Sequence, residues 1–203
     1  SEPSLLSLLD LVALGTVCDV VPIRGFNRAL VAQGIKVARQ LRNPGVAALA
    51  AAAGVRERID AYHLGYVLGP RVNAGGRVGA SDLGARLLST NDPIEAREIA
   101  EQLDRHNQER RMIEEVLTHE ALEQAEGLRA ADPIIIVDAE GWHPGVIGIV
   151  ASRLKDRFAR PALVIGSDGT HAKGSARSVP GFDIGAAVIA ARQDGLLING
   201  GGH

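Results

Sequence analysis

The chain has 203 residues, of which 46% are hydrophobic and only 3% aromatic, and its formal net charge at pH 7 is −2. This length exceeds what one compact core usually needs and suits two lobes joined by a connector. No apolar run approaches the roughly 18 residues that span a bilayer, so no membrane segment is expected. The single cysteine, Cys18, excludes an internal disulfide and favours a cytoplasmic protein.

Charge is unevenly distributed along the chain. Residues 1–92 carry 10 Lys and Arg against 7 Asp and Glu, residues 93–128 carry 4 against 10, and residues 129–203 carry 8 against 7. The sequence pI of about 6.3 is far below the values above about 9 that are typical of nucleic-acid-binding domains. Any surface that binds nucleic acid must therefore be local. The start Ser-Glu-Pro, without a Met or a leader, leads us to expect a piece of a longer protein.

The first zone predicts a series of short helices. Apolar residues recur at helical spacing over 5–15, 27–40 and 47–53, and Asp60 is placed to cap a further helix over 61–68. Because the large rings are so few, the core is expected to consist of Ala, Val, Leu and Ile in closely packed helices.

The middle zone predicts one long helix. Asp92, Pro93 and Glu95 place a capping side chain, an N1 proline and an N3 acid in the expected order. Both ends of this helix carry apolar faces, whereas residues 104–111 are polar all round. About 33 residues in a helix span some 50 Å, which fits a connector between two lobes. A surface helix of a single domain is the alternative.

Beyond the connector the pattern is that of an α/β lobe. A continuous apolar run at 134–137 predicts a buried strand, and Pro144 is expected to start a helix that ends near Phe158. Residues 162–165 and 171–178 predict two strands around a turn, and Asp183 is placed to cap a final helix. The predicted fold class is α/β, with boundaries at 1–92, 93–128 and 129–203.

Asp19 is a lone carboxylate in the otherwise apolar stretch from Leu11 to Pro22. Burying an ionised carboxylate costs several kcal/mol unless a cation or hydrogen-bond donors compensate. The sequence therefore predicts either a metal ligand or an aspartate bonded to nearby backbone or arginine.

The segment Gly69–Arg77 combines Arg71, Asn73 and Arg77 with a glycine pair directly after a predicted helix. Guanidinium groups offer paired donors to phosphate, and glycine lets backbone N–H groups approach a ligand. This combination suits a phosphodiester. A helix C-terminus with solvated arginines is the alternative.

Two regions of the second lobe favour an anion. Trp142 and His143 lie in a loop between a strand and a helix start, where the helix dipole attracts negative charge. Trp142 either stacks on a base or anchors the loop, and His143 either binds phosphate or caps the helix. Hydroxyls, a guanidinium, glycine backbone and an imidazole come from 174–178 and 199–203, and together they favour an anion or nucleotide site.

Taken in order, these segments resemble the RecJ family of single-strand-specific DNA exonucleases, which belongs to the DHH phosphoesterases. The resemblance covers essentially the whole chain and is carried by LDLVALGTVCDVVP, GPRVNAGGR, GWHPGVIGIVASR, GSARS and GGGH. It implies the C-terminal part of a DHH catalytic lobe, a connector helix and an incomplete DHH-associated, substrate-binding lobe. It also implies 5′ to 3′ degradation of single-stranded DNA with Mn²⁺ or Mg²⁺, in recombination and repair, and other DNA repair proteins as partners.

The resemblance further implies roles for single residues. Asp19 matches the last metal-binding aspartate of the catalytic lobe, so it is the implied catalytic residue and metal ligand. Phosphate contacts are implied for the groove between the lobes and for the second lobe. The implied substrate-binding residues are Arg71, Asn73, Arg77, Trp142, His143, Ser175, Arg177, Ser178, Gly201, Gly202 and His203.

The earlier aspartate motifs and the Asp-His-His triplet of the family are missing from this sequence. Two-metal cleavage needs several carboxylates and imidazoles, so we predict that this chain alone is inactive. Two alternatives stay open. A related enzyme acting on short oligonucleotides or cyclic dinucleotides should lack the Gly69–Arg77 segment, and a non-catalytic single-stranded nucleic-acid-binding module would use Asp19 only structurally.

Overall fold

The computed structural model describes residues 4–129 and 131–202 and divides the chain into two compact units, Ser1–Arg110 and Arg111–His203. The described residues are mostly helical, with one three-stranded mixed sheet, so the predicted α/β class is confirmed. The division falls inside a long helix, within the polar stretch 104–111. The boundaries at 92 and 128 stay a prediction.

The first unit is built from helices in the part that is described. A 3₁₀ turn over Leu5–Leu8 leads into α1. A Cβ on Gly34 of α2 would lie 2.1 Å from the Leu9 carbonyl oxygen, so only glycine permits the close approach of α1 and α2. The helix bounds are Leu9–Cys18 for α1, Gly25–Ala38 for α2, Pro44–Ala52 for α3, Gly69–Val78 for α4 and Leu83–Ser89 for α5.

The helix that was expected to end at Leu68 continues without interruption into α4, so that prediction is wrong. Its segment His63–Leu68 is π-helical, and the Gly69 N–H donates to the carbonyl of Leu64, five residues back. Pro70 lacks an N–H and so cannot form the usual bond to the residue four positions earlier, which favours the wider turn. Gly69 and Gly75 are closely packed, since a Cβ would lie 2.4 Å from Cys18 Sγ and 2.8 Å from the Ala80 carbonyl oxygen, respectively, whereas Gly76 has open space beside it.

The core of the first unit consists of Ala, Val, Leu and Ile, as the composition predicted. Aliphatic side chains without large rings leave little room between helices, which explains why glycines occur at the crossing points. Its largest fully buried members are Leu49, Leu64, Leu68, Leu87 and Leu103.

The long helix α6 spans Pro93–Glu126, which confirms the predicted long helix and its start at Pro93, whereas its role as a connector stays a prediction. Asp92 Oδ1 accepts a hydrogen bond from the Ile94 N–H at 2.8 Å, as expected for a capping aspartate. The expectation that residues 104–111 are solvated on every side is wrong. Asn107 is only 3% exposed, and Asp104 is largely buried in an ion pair.

The second unit contains the sheet, in the order β1-β2-β3. Strands β1 and β2 are parallel and are joined through α7, whereas β2 and β3 are antiparallel. Asp168 Oδ1 accepts the backbone N–H groups of His171 and Thr170 in the turn between β2 and β3, and these bonds lower its pKa to about 2. The bounds are Ile135–Glu140 for β1, Ile147–Phe158 for α7, Ala162–Ser167 for β2, Ala172–Arg177 for β3 and Ile184–Gln193 for α8.

One face of this sheet packs on α7 and on the second half of α6. The buried side chains Ile135, Val137, Ala162 and Val164 form that face. In the register of β3, Ser175 pairs with Val164 and Arg177 pairs with Ala162. Because paired residues point to the same side of a sheet, Ser175 and Arg177 lie on the side of α7.

The structure also tests the two helix starts that were predicted in this unit. Asp183 caps α8 as predicted, accepting the Ala186 N–H at 2.9 Å. Pro144 does not start α7, which begins three residues later at Ile147. Among the helices in the described ranges, none is both long and apolar enough to cross a membrane.

His63, at the start of the π-helical segment, is held between two carboxylates. Its side chain is nearly buried, with Nδ1 at 2.7 Å from Asp60 Oδ1 and Nε2 at 3.1 Å from Glu57 Oε1. Burial alone would lower the pKa of His63, but the hydrogen bonds that its ring makes to the carboxylates of Asp60 and then Glu57 raise it above its ordinary value of 6.5. These contacts stabilise the start of the helix that leads into α4 most strongly when the ring is protonated.

This pair of contacts predicts a pH-dependent stability. A histidine with a raised folded pKa contributes fully below its unfolded pKa, and the contribution is lost as pH rises through the folded value. We expect the free energy of unfolding in urea to fall as the pH rises above about 6.5, the ordinary pKa of histidine, and His63→Gln to lose part of this decrease. His119→Gln is the control, because His119 is 77% exposed and should leave the profile unchanged. Parallel profiles for wild type and His63→Gln would contradict the prediction.

Candidate nucleic-acid interface

Asp19 is the residue that ends α1, and its side chain is exposed. The expectation that this carboxylate is buried in an apolar stretch is therefore wrong. Its neighbour Cys18 is half-buried and donates its thiol to the Leu64 carbonyl at 3.5 Å. Burial, and then the charge of Asp19, raise the pKa of Cys18 to about 11. The end of α1 is thus fixed on the helix that leads into α4, and Asp19 lies where this end reaches the surface.

Asp19 does not belong to a metal cluster within residues 4–129 and 131–202. No group of three or more His, Cys, Asp and Glu side chains in these ranges could hold an ion. Mg²⁺ and Mn²⁺ prefer an octahedral set of oxygen ligands, of which one carboxylate supplies a small part. The described residues therefore do not fit a complete metal centre, and the metal-binding role of Asp19 stays a prediction.

The three polar residues of α4 separate into two environments. Arg71 Nε donates to Asp104 Oδ1 at 2.8 Å, and its Nη1 donates to the Val67 carbonyl at 2.7 Å. The side chains of this ion pair are only 16% and 18% exposed. Asn73 and Arg77 lie one helical turn apart and are exposed. Arg71 thus attaches α4 to α6, and the predicted phosphate contacts of this segment are geometrically easier for Asn73 and Arg77.

In the second unit, Arg177 lies beside the first turn of α7. Its Nε donates to Ser152 Oγ at 3.0 Å, and its Nη1 donates to Ser175 Oγ at 3.2 Å. A Cβ on Gly148 would lie 3.0 Å from Ser175 Oγ and 3.1 Å from Arg177 Nη2, so the missing side chain lets the guanidinium approach the helix. Among the described residues, no carboxylate forms an ion pair with Arg177.

This arrangement suits a phosphate. The guanidinium is exposed and has two hydroxyls within hydrogen-bond distance. The backbone N–H groups at this helix start already donate to the carbonyls of His143 and Val146, so the helix contributes the positive potential of its dipole. A phosphate oxygen at this point would meet the guanidinium and the hydroxyls. Sequence reasoning missed Ser152 and Gly148, although their spacing of four residues at a helix start is a signal for a shared face.

Ser178 has a different environment from its neighbour Ser175. Its hydroxyl donates to the carbonyl of Phe182 and lies 3.5 Å from the carbonyl of Val179. These contacts close the turn that precedes α8. The structure therefore gives Ser178 a local structural role, and its predicted contact with substrate stays untested.

Trp142 is 6% exposed and lies in the core of the second unit. Its Nε1 donates to Glu120 Oε2 at 2.7 Å. A buried ring has no free face for a base, so of the two predicted alternatives the structure favours loop anchoring over stacking. His143 Nδ1 accepts the Gly145 N–H at 3.1 Å, and its carbonyl accepts the Val146 N–H at 2.9 Å. His143 therefore closes the turn that precedes α7, and its predicted contact with phosphate stays a prediction.

The glycine-rich segment before His203 lies along α8. A Cβ on Gly200 would lie 2.8 Å from Val188 Cγ1, and Arg192 donates to the Gly200 carbonyl at 3.1 Å. Gly201 and Gly202 are exposed. His203 lies outside the described residues. The predicted substrate contacts of Gly201, Gly202 and His203 stay predictions.

The comparison with known proteins agrees with these features. Residues 131–203 match the DHHA1 domain. The single-stranded-DNA-specific exonuclease RecJ of Dickeya dadantii is 42% identical over the whole of this chain, and that of Bacillus subtilis is 40% identical over 97% of it. The chain spans 37% of the first of these relatives and 25% of the second.

Solved structures show the same relationship. RecJ from Thermus thermophilus in complex with Mg²⁺ has a TM-score of 0.85 and 36% identity, and the match covers 99% of this chain and 31% of that one. An exonuclease RecJ bound to manganese has a TM-score of 0.84 and 35% identity, covering all of this chain and 50% of that one.

The match therefore defines residues 131–203 as a DHHA1 domain. The similarity extends through both units, so the whole chain resembles a part of the RecJ exonucleases, and the predicted resemblance is confirmed.

The pair of Arg71 and Asp104 predicts a measurable loss of stability. Asp104→Asn leaves a mostly buried guanidinium without its anion, and we expect the free energy of unfolding to fall by about 1.5–3 kcal/mol. Urea denaturation measures this change. Glu95→Gln is the control, because the pair of Glu95 with Arg86 is exposed and should contribute much less. Equal losses in the two variants would show that the buried pair does not stabilise α4.

Proposed function

We propose that this chain is the DNA-binding part of a metal-dependent exonuclease that degrades single-stranded DNA from the 5′ end in recombination and repair. The observation that carries the proposal is the cluster of Arg177, Ser175 and Ser152 beside the start of α7. Its donors require only a phosphodiester, which every sequence of DNA offers. The printed names of the relatives, single-stranded-DNA-specific exonucleases, supply the substrate class.

In this proposal each unit has its own contacts with DNA. Asn73 and Arg77 contact its phosphates from α4, and Arg177 with Ser175 contacts them from β3. Arginine suits these positions because its paired N–H donors match the oxygens of a phosphate. Partnership with other DNA repair proteins and a cytoplasmic location are further parts of the proposal.

The proposed metal is Mn²⁺ or Mg²⁺, the ions in the solved RecJ structures. Asp19 is proposed as one ligand, and its exposed carboxylate at the end of α1 is accessible for this role. When bound, such ions activate water and stabilise the leaving oxygen. This chain offers one ligand of the set, so we propose that by itself it binds DNA without cleaving it.

A second candidate is a binding module in which Asp19 has no metal role. It is favoured by the absence of a three-ligand cluster in the described ranges. The reading as an enzyme for short oligonucleotides or cyclic dinucleotides is less favoured, because it does not account for the Gly69–Arg77 segment.

The phosphate site predicts a specific salt dependence. Arg177→Ala should weaken binding to oligonucleotides of every sequence and reduce the slope of log K against log salt by about 0.7, the value for one phosphate of a single strand. Fluorescence anisotropy with labelled oligonucleotides measures both quantities. Arg157→Ala is the matched control, since Arg157 is exposed at the opposite end of α7 and pairs with Glu126. An unchanged slope in Arg177→Ala would remove this residue from the DNA contacts.

The metal proposal predicts binding without turnover. The purified chain should bind single-stranded DNA in the presence of a chelator and should release no nucleotides when Mn²⁺ or Mg²⁺ is added. If Asp19 holds an ion near the strand, Mn²⁺ should alter the affinity, and Asp19→Ala should abolish that change. Equal affinities with and without Mn²⁺ would favour the binding module. Chelator-sensitive cleavage by this chain would contradict its proposed inactivity.

A further inference from the structure

Tyr62 and Tyr66 form an exposed aromatic pair on the helix that leads into α4. They are the only two tyrosines of the chain. They are 61% and 75% exposed, and their rings stack with centroids 5.4 Å apart and an angle of 28° between the planes. Tyrosine combines a flat apolar ring with a polar hydroxyl and is enriched at binding surfaces. Two exposed rings stacked side by side offer flat apolar faces to a planar ligand.

The support under these rings is rigid. Leu64 and Leu68, in the same helix, are buried in the core of the first unit. His63 lies edge-on to the ring of Tyr62, with centroids 5.8 Å apart, and is itself held by Asp60 and Glu57. The segment between the two tyrosines is π-helical, a conformation that is frequent at functional sites. The pair is thus preorganised, so few side-chain torsions have to be fixed when a ligand stacks on it.

Exposed polar residues further along the same helix indicate the kind of ligand. Asn73 and Arg77 are exposed there, seven and eleven residues beyond Tyr66. At about 1.5 Å per residue these spacings correspond to roughly 10 and 16 Å. Aromatic faces next to a basic group are the combination with which proteins bind single-stranded nucleic acid. Glu57 and Asp60 at the tyrosine end disfavour phosphate there and leave the rings for the bases.

From this arrangement we propose that Tyr62 and Tyr66 form a base-stacking site for single-stranded DNA, whose phosphates extend towards Arg77. The inference rests on the proposed function and deepens it. A base in a duplex is stacked on its neighbours, so only an unpaired base presents a face to this pair. The site would therefore contribute to a preference for single strands as well as to affinity.

Substitutions of the pair test the proposal. Tyr62→Leu and Tyr66→Leu should each weaken binding of an oligothymidylate by roughly 5- to 100-fold without changing the salt slope, because stacking does not release counterions. Tyr62→Phe and Tyr66→Phe keep the ring and should bind within about twofold of wild type. Phe26→Leu is the matched control, since Phe26 is 76% exposed in the same unit but lies on α2. Its affinity should not change.

An oligonucleotide with abasic sites provides an independent readout. Wild type should bind it more weakly than oligothymidylate, and the Leu variants should lose nothing further, because the bases that stack are already missing. If the Leu variants bind oligothymidylate like wild type while Arg177→Ala still lowers the salt slope, the stacking site is refuted and the proposed function stands. If wild type binds no oligonucleotide, both are refuted. Altered self-association in the Leu variants, with unchanged DNA affinity, would assign the pair to a protein contact and overturn the inference.

Discussion

The ion pair between Arg71 and Asp104 determines where α4 lies, and the polar features of the first unit depend on α4. It joins two helices whose paired residues are 33 positions apart, and it is largely shielded from water. Gly75 strengthens the same junction, since a Cβ there would lie 3.1 Å from Leu103 of α6. With α4 held in this way, Asn73 and Arg77 are directed outwards. Arg71 thus helps to position its neighbours, and its own predicted contact with phosphate stays a prediction.

In the second unit, the register of β3 and the absence of a side chain at Gly148 determine where Arg177 lies. Pairing with β2 places Ser175 and Arg177 on the side of α7, and the missing side chain of Gly148 lets the guanidinium lie against the helix start. Trp142 secures the loop before this helix through Glu120. The donors for phosphate are therefore provided by side chains of an edge strand and of α7 that are fixed independently of any ligand.

The sequence was sufficient to predict features that depend on local patterns. The cap at Asp92, the long helix, the three strands and the cap at Asp183 each follow from residues close together in the chain. Features that depend on distant partners could not be predicted. The pair of Arg71 with Asp104 and the buried ring of Trp142 require knowledge of packing, and the exposure of Asp19 depends on where α1 ends. The continuous helix through Pro70 was not predicted, because a proline normally indicates the end of a helix.

Two kinds of contact with different physical origins can act together on one strand. Phosphate contacts to arginine release counterions and weaken as salt increases, whereas stacking on tyrosine is nearly independent of salt. A chain with a net charge of −2 cannot rely on long-range attraction alone to hold a polyanion. Exposed rings, together with a few arginines, offset this weak attraction, because stacking of the bases on the rings contributes affinity that does not depend on positive charge. The pI of about 6.3 argues against a uniformly basic surface. If binding is shared between rings and arginines, local basic sites are sufficient.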